Sequence, residues 1–261
     1  MDIGNFSALP SFRLDGRLAL ITGASEGIGN SLAVAFARAG ANLALISRDI
    51  RRLSKTIDMV KQFGIEAHSF QADIRNIGEL RQLGISVKKQ LGPVVILVNS
   101  AGYPLTKPAL MVTEEDWDLV IDTSLKGVFF MCQHFAGMMS EHGYGKIINL
   151  SSTYAQNVAV GKSVYAIAKN GVSPLTRSLA VEWAPYGIRV NSLAPCLTKT
   201  HTRESVFKDK KRIKLLVERI PLGRYANTDD LIGGALFLAS EASDFVTGHT
   251  LFIDGGRTAA G

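Results

Sequence analysis

The apolar run RLALIT, residues 17 to 22, passes without a gap into GASEGIGN, and this junction constrains the fold more than any other stretch of the 261 residues. Gly23, Gly27 and Gly29 occupy the turn, and helical periodicity begins near Ile28. Glycine tolerates the left-handed backbone that a sharp turn needs and lets a ligand approach the main chain. The helix start just beyond offers unpaired N–H groups and the positive end of a dipole. Strand, glycine-rich turn and helix in this order predict a phosphate cradle made by Gly23, Ser25, Glu26, Gly27, Ile28 and Gly29. A tight turn that holds no ligand is the competing reading.

Further apolar runs follow at 42–46, 67–71, 94–98, 146–150, 189–193 and 250–253. Helical segments are expected between them at about 28–39, 51–63, 77–91, 115–140, 163–184 and 229–239. Runs of this length without polar alternation suit strands buried on both faces. The alternation predicts one α/β domain over residues 1–261, a doubly wound, Rossmann-type, seven-stranded parallel sheet with helices on both faces. Residues 1–13 form an N-terminal extension, and the polar, basic stretch 197–225 interrupts the pattern after the sixth strand. Open α/β sheets bind ligands at the carboxyl ends of their strands, so this stretch is expected to be a small helical lid. A peripheral helical excursion or a subunit contact is the other reading.

The balance of 29 basic against 23 acidic residues, net +6, raises nucleic acid as a partner. The basic residues are spread along the chain apart from KDKKRIK at 208–214, and no nucleic-acid motif accompanies them. Nucleic-acid binding is not expected; steering of an anionic cofactor or substrate is. Cys132 and Cys196 lack metal-ligand spacing and are too few for a disulfide framework, so no metal is expected and a reducing compartment is the simpler inference. The N-terminal stretch lacks the apolar core of a signal peptide and no window is long enough to span a bilayer, so the expected location is cytoplasmic and no membrane partner is expected.

The end of the second strand usually selects the dinucleotide, because an acid there accepts hydrogen bonds from ribose hydroxyls whereas an arginine accommodates a 2′-phosphate. Here Ser47 takes the acidic position, Arg48 follows, and Asp49 is expected to be turned away. NADP(H) is therefore expected over NAD(H), although Glu26 in the glycine-rich loop argues the other way.

In SVYAIAKNG, Tyr165 and Lys169 stand four residues apart, a spacing that permits contact on one helix face. Together with the TGxxxGxG turn, this Tyr-x-x-x-Lys helix resembles the short-chain dehydrogenase/reductase family, and the match runs from about residue 14 to the end. The resemblance implies adenine contacts from Asp73 and Ile74 in QADI, a cofactor turn of Asn99, Ala101 and Gly102 in NSAG, and carboxamide contacts from Thr198 and Thr200. It also implies that Ser152, which lies 13 residues before Tyr165, holds the substrate oxygen. Tyr165 would exchange the proton and Lys169 would tune it while binding the nicotinamide ribose. A free phenol titrates near pH 10, so bringing it to neutrality takes about three units, roughly 4 kcal/mol, which a nearby positive charge supplies.

The family commonly carries an Asn where this chain has Ser124, a residue tied to a helix kink and an ordered water in the proton relay; Ser124 is carried over as a catalytic candidate that holds the kink less firmly. Ser100 replaces a second Asn, and Cys196 replaces the usual Gly after Pro195, where it is expected to fill space. The substrate pocket is expected from Tyr103, Pro104, Leu105, Thr153, Tyr154, Gln156, Asn157, Val158 and His201, a mixture suited to a polar carbonyl or polyol. Among family members the scaffold looks most like gluconate 5-dehydrogenase-type and 3-oxoacyl-[acyl-carrier-protein] reductase-type enzymes. The expected substrate is thus a small ketone or secondary alcohol such as a sugar acid, and a carrier-bound 3-oxoacyl group is the alternative. Lys208, Lys210, Lys211 and Arg212 would meet an acidic carrier, and one of those, or Lys107, would pair with the carboxylate of a sugar acid. A low-turnover regulatory protein that retains the fold is a further reading, with Ser124 as its symptom. The resemblance also implies a homotetramer.

Overall fold

The computed structural model describes residues 10–200 and 204–260. In chain order its strands are β1 (Leu18–Thr22), β2 (Asn42–Ser47), β3 (Ala67–Gln71), β4 (Ile96–Asn99), β5 (Gly145–Leu150), β6 (Ile188–Pro195), β7 (Thr198–Lys199), β8 (Ala226–Asn227) and β9 (Thr250–Ile253). The helices are α1 (Gly27–Arg38), α2 (Ser54–Lys61), α3 (Ile77–Leu91), α4 (Glu114–Ile121), α5 (Gly127–His142), α6 (Ser163–Trp183), α7 (Glu204–Lys208), α8 (Lys210–Val217) and α9 (Ile232–Ala239). Seven strands form one parallel sheet in the order β3-β2-β1-β4-β5-β6-β9, as the alternating pattern predicts.

Alternate residues of the same strand enter different cores. Ala19 and Ile21 of β1 pack with Leu32 and Phe36 of α1 and Leu238 of α9. Leu18 and Leu20 face the other way, into Leu80 and Val87 of α3 and Met131, Phe135 and Met139 of α5. Each such side chain, fully buried, contributes about 1.5–3 kcal/mol. Two apolar faces explain why these runs carry no polar alternation.

The strand order reverses between β1 and β4, and the register places the carboxyl ends of the central strands in one row. Ile46, Thr22, Asn99 and Asn149, each the last or next-to-last residue of its strand, are successive partners across the sheet. At this edge the chain turns to either side, the position at which a doubly wound sheet opens a crevice.

The structure differs from the sequence reading in three helices. The expected helix at 115–140 is two, because Asp122–Lys126 form a single π-type turn in which the Gly127 N–H reaches the Asp122 carbonyl. A Cβ at Gly127 would stand 2.7 Å from the Ile74 carbonyl, so only glycine lets this turn press against the end of β3. The segment before α2 and the one before α9 each begin as a short 3₁₀ turn, Ile50–Leu53 and Thr228–Leu231. The excursion after β6 carries α7 and α8, and its two ends are tied by the β7·β8 pair, with Thr198 opposite Ala226.

Candidate active site

Most of the residues singled out in the sequence converge on a cleft of about 850 Å³ along the carboxyl edge of the sheet. One half lies over β1–β3 and the other over β4–β6 and β9.

In the first half the glycines do what the turn needs. Gly23 and Gly27 have φ of +67° and +61°. A Cβ at Gly23 would stand 2.9 Å from the Ala101 Cα, and one at Gly29 would collide with the Gly23 carbonyl. The turn is braced from behind, where Asn30 donates to the Thr56 hydroxyl (2.8 Å) and Thr56 to the Ala24 carbonyl (3.0 Å). Glu26 occupies the N-cap of α1 but its side chain caps nothing, which leaves the first-turn N–H groups facing the cleft. Its carboxylate instead pairs with Arg52 (2.5 Å), a cleft-lining arginine that sequence reasoning missed. The opposing influence assigned to Glu26 is therefore answered by a cation.

At the end of β2 the Ser47 hydroxyl accepts from the Asp49 N–H (3.3 Å), while Arg48 is exposed at the cleft. Asp49 also lines the cleft, but Arg51 holds both of its carboxylate oxygens (2.9 Å) and keeps the acid below its usual range. At the end of β3, Asp73 and Ile74 line the cleft. Hydrogen bonds from the Arg75 guanidinium (2.5–3.0 Å) hold Asp73 below the usual carboxylate range.

The crevice wall after β4 is pinned by Thr22, whose hydroxyl accepts from the N–H groups of both Ser100 and Ala101 (3.1 Å each). Ala101 and Gly102 face the cleft. Asn99 departs from the expectation placed on it: its side chain turns inward, donating to Asn149 (2.9 Å) and Cys132 (3.2 Å), and it is absent from the cleft lining. The strand's alternation explains this, since the residue before the turn faces the interior while the turn itself bends to the crevice. Cys132, fully buried in this amide network, has its thiol pushed up to about 12 by burial.

The second half holds Ser152, Tyr165 and Lys169, which are 7%, 8% and 4% exposed and all line the cleft. Ser152 ends the segment after β5 in extended conformation, and its hydroxyl accepts from the Tyr154 N–H (3.2 Å). Tyr165 lies in the first turn of α6 with its ring edge-on to Tyr154 at 5.8 Å. One turn along, the Lys169 ammonium donates to the Leu150 carbonyl (2.6 Å) and sits 6.0 Å from the Tyr165 ring centre. The Ser151 hydroxyl reaches back to the Lys169 carbonyl (3.1 Å), fastening α6 to the end of β5.

Ser124 lies in the π-type turn, wholly buried, and accepts from the Tyr103 N–H (3.1 Å). A Cβ on Gly102 would lie 3.5 Å from the Lys169 Nζ and 3.6 Å from the Ser124 Oγ, so the three residues meet at one point. The helix irregularity expected to weaken without asparagine is present, held by the backbone and Gly127.

Thr198 and Thr200 line the cleft beyond Pro195, and Thr198 donates its hydroxyl to the Cys196 carbonyl (3.1 Å). Burial, and then the Asp254 carboxylate, push the Cys196 thiol up. Such a thiol stays protonated at neutral pH, in keeping with a space-filling role.

Of the expected pocket residues, Tyr103, Pro104, Thr153, Tyr154, Asn157 and Val158 line the cleft; Leu105 and Gln156 do not, and His201 lies outside the described residues. Lys107 is paired with Asp116 and is spent. Of the basic set on the lid only Arg212 reaches the lining, where Arg219, Lys162 and Arg257 join it unforeseen. Lys162, three residues before Tyr165, stands at the N-cap of α6, one residue outside the helix expected at 163–184.

The cleft fits a dinucleotide. Gly23 and Gly29 leave backbone exposed where a Cβ would not fit, a helix start points into it, and the exposed Arg48 lines it beside the end of β2.

Residues 23–258 match the family model described as Enoyl-(Acyl carrier protein) reductase. The chain is 37% identical over 249 residues to 2-dehydro-3-deoxy-D-gluconate 5-dehydrogenase of Escherichia coli K12, covering 95% of this chain and 98% of that protein. It is 37% identical over 251 residues to D-threitol dehydrogenase of Mycolicibacterium smegmatis, covering 95% of each. The crystal structure of a gluconate 5-dehydrogenase from Burkholderia cenocepacia J2315, in complex with NADP and tartrate, superposes with a TM-score of 0.93 at 37% identity over 97% of this chain and 99% of that one.

Proposed function

The chain belongs to the short-chain dehydrogenase/reductase family, and we propose that it interconverts a ketone and a secondary alcohol on a sugar acid, with NADP(H) preferred over NAD(H). One observation carries the choice of substrate. The half of the cleft that holds Ser152, Tyr165 and Lys169 is lined by Lys162, Arg212, Arg219 and Arg257 and, among the described residues, by no carboxylate; Glu26, Asp49 and Asp73 all lie in the other half. A carboxylate-bearing substrate complements such a surface, and the relatives named for gluconate derivatives support the same reading.

When bound, NADP(H) supplies or accepts the hydride; its phosphates would lie on the cradle from Gly23 to Gly29, its 2′-phosphate at Arg48 with Arg52 beside it, its adenine near Asp73 and Ile74, and its carboxamide near Thr198 and Thr200. Ser152 and Tyr165 hold the substrate oxygen through their hydroxyls. In reduction Tyr165 gives that oxygen a proton; in oxidation its phenolate takes one. Lys169, with its ammonium fixed by the Leu150 carbonyl, favours the phenolate electrostatically. Ser124 keeps the backbone of Tyr103 in place beside the substrate.

The described residues of the excursion after β6, 204–225 with β7 and β8 at its base, close over the substrate as a lid carrying Arg212 and Arg219. Trp117, Phe129, Ile167 and Val181 on α4, α5 and α6 are 36–79% exposed and are read as part of a homotetramer interface. Among the described residues no helix is long and apolar enough to cross a membrane, and a cytoplasmic location is proposed with the rest. The test is a panel of carbonyl and alcohol substrates: sugar acids are expected to give the highest kcat/KM, neutral polyols lower values. A preference for 3-oxoacyl groups on a carrier protein would overturn the reading.

A further inference from the structure

We propose that Lys162 is a second cation built against Tyr165, a positioning residue that acts with Lys169 to make the phenol a proton acceptor at lower pH than Lys169 alone would allow. This inference rests on the reading of Tyr165 as the group that exchanges the proton.

Tyr165 stands near two ammonium groups, one from the N-cap of α6 and one from a turn further along it. The Lys162 Nζ lies 5.4 Å from the ring centre and the Lys169 Nζ lies 6.0 Å from it, so the unassigned lysine is the nearer. Lys162 is also the N-cap of α6, and its side chain caps nothing there. Helix starts favour Ser, Thr, Asp or Asn, and a positive charge at that end opposes the helix dipole. The lysine therefore does not serve the helix. Its ammonium reaches across to the loop after β4, donating to the Leu105 carbonyl (2.9 Å) and to the Thr106 hydroxyl. Both oxygens are neutral, so these bonds fix the position of the charge without cancelling it.

Among the described residues the other groups around Tyr165 do not reverse the sign. From the turn after β5 comes Tyr154, edge-on. From the loop after β4 come Tyr103 and Lys107, the latter paired with Asp116 of α4. The π-type turn carries Asp122 paired with Lys126 (3.1 Å). Beyond β6 lies Cys196, and behind it Asp254, whose carboxylate accepts from the Gly256 and Thr258 N–H groups and the Thr258 hydroxyl. The lid and the C-terminal segment contribute Arg212, Arg219 and Arg257. Positive charge stabilises a phenolate, and opposite charges within about 4–6 Å move a group by one unit or more.

The test removes the charge and keeps the length. In Lys162→Met the lower-pH limb of kcat for alcohol oxidation is expected to move up by about one pH unit, a loss of about tenfold below the limb. Lys162→Arg is expected to restore the wild-type limb. A second measurement needs no turnover: the ultraviolet tyrosinate titration of the enzyme without cofactor, taken as the difference from Tyr165→Phe, is expected to move up by the same amount in Lys162→Met. An unmoved limb and titration with a raised KM for the sugar acid would overturn the proposal and assign Lys162 to the substrate carboxylate. An unmoved limb with lower thermal stability that Arg does not repair would overturn it in favour of a loop strut. Absence of turnover on every alcohol would sink the assigned reaction, while the titration would still decide the role of Lys162.

Discussion

Arg48→Ala separates the cofactor assignment from everything else in the protein. The side chain is exposed and makes no hydrogen bond or ion pair among the described residues, and its influence on the nearby Asp73 is minor beside that of Arg75, so its removal costs the free enzyme little. A surface change of this kind stays within about 0.5 kcal/mol, and the entropy of unfolding scales with length, so for 261 residues the melting temperature should move by about 1 °C or less. The loss appears on binding. A hydrogen bond to a charged group contributes about 1.5–3 kcal/mol, which is a weakening of NADPH by about 13- to 160-fold at constant NADH affinity. Fluorescence titration of the apoenzyme with each dinucleotide measures both constants. Adding Glu26→Gln, which releases Arg52 from its ion pair, should return part of the lost NADPH affinity. Equal losses for NADPH and NADH in Arg48→Ala would refute the reasoning.

Gly29→Ala puts a methyl against the Gly23 carbonyl and 3.1 Å from the Ser100 Oγ; overpacking costs about 1–3 kcal/mol, so thermal denaturation should show a drop of about 2–5 °C and titration a loss of both cofactors. Ser124→Ala removes the acceptor of the Tyr103 N–H, and steady-state kinetics should show a raised KM for the sugar acid with the cofactor constants unchanged. Asp230, gripped by both arms of Arg224 (2.7 Å) and by the Asn227 N–H (2.8 Å), is held at about 2. A depressed carboxyl stabilises the fold above its ordinary range and loses that contribution as pH falls through the lowered value. The melting temperature of Asp230→Asn should therefore lie below the wild type at neutral pH, and the gap should close between about pH 4 and pH 2.

The inner strands were legible because burial on both faces leaves no choice of pattern, the edge strands β3 and β9 are only partly covered, and all seven form within two residues of the runs. The β1–α1 turn was legible for a related reason, since Gly23 and Gly27 adopt positive φ that other residues resist. Asp122–Lys126 was not, because a single π-type turn keeps the helical spacing on both sides and owes its place to the distant carbonyl of Ile74. Asn99 misled because a motif gives the order of residues and not the face of the strand on which each lies. Lys107 misled because an exposed lysine in sequence can be an ion-paired one in space. Arg52, Arg219 and Arg257 reach the cleft from three separate segments, and only the closed fold brings them there.

Tyr165→Phe tests the central claim most directly, because it removes one oxygen from the group assigned to the proton and leaves the ring against Tyr154. The variant should bind NADPH as the wild type does, while its rate of NADPH oxidation by a keto sugar acid falls by about 10²–10⁴. A variant that turns over within tenfold of the wild type, or a wild type that binds NADPH yet oxidises it with no carbonyl, would contradict the account.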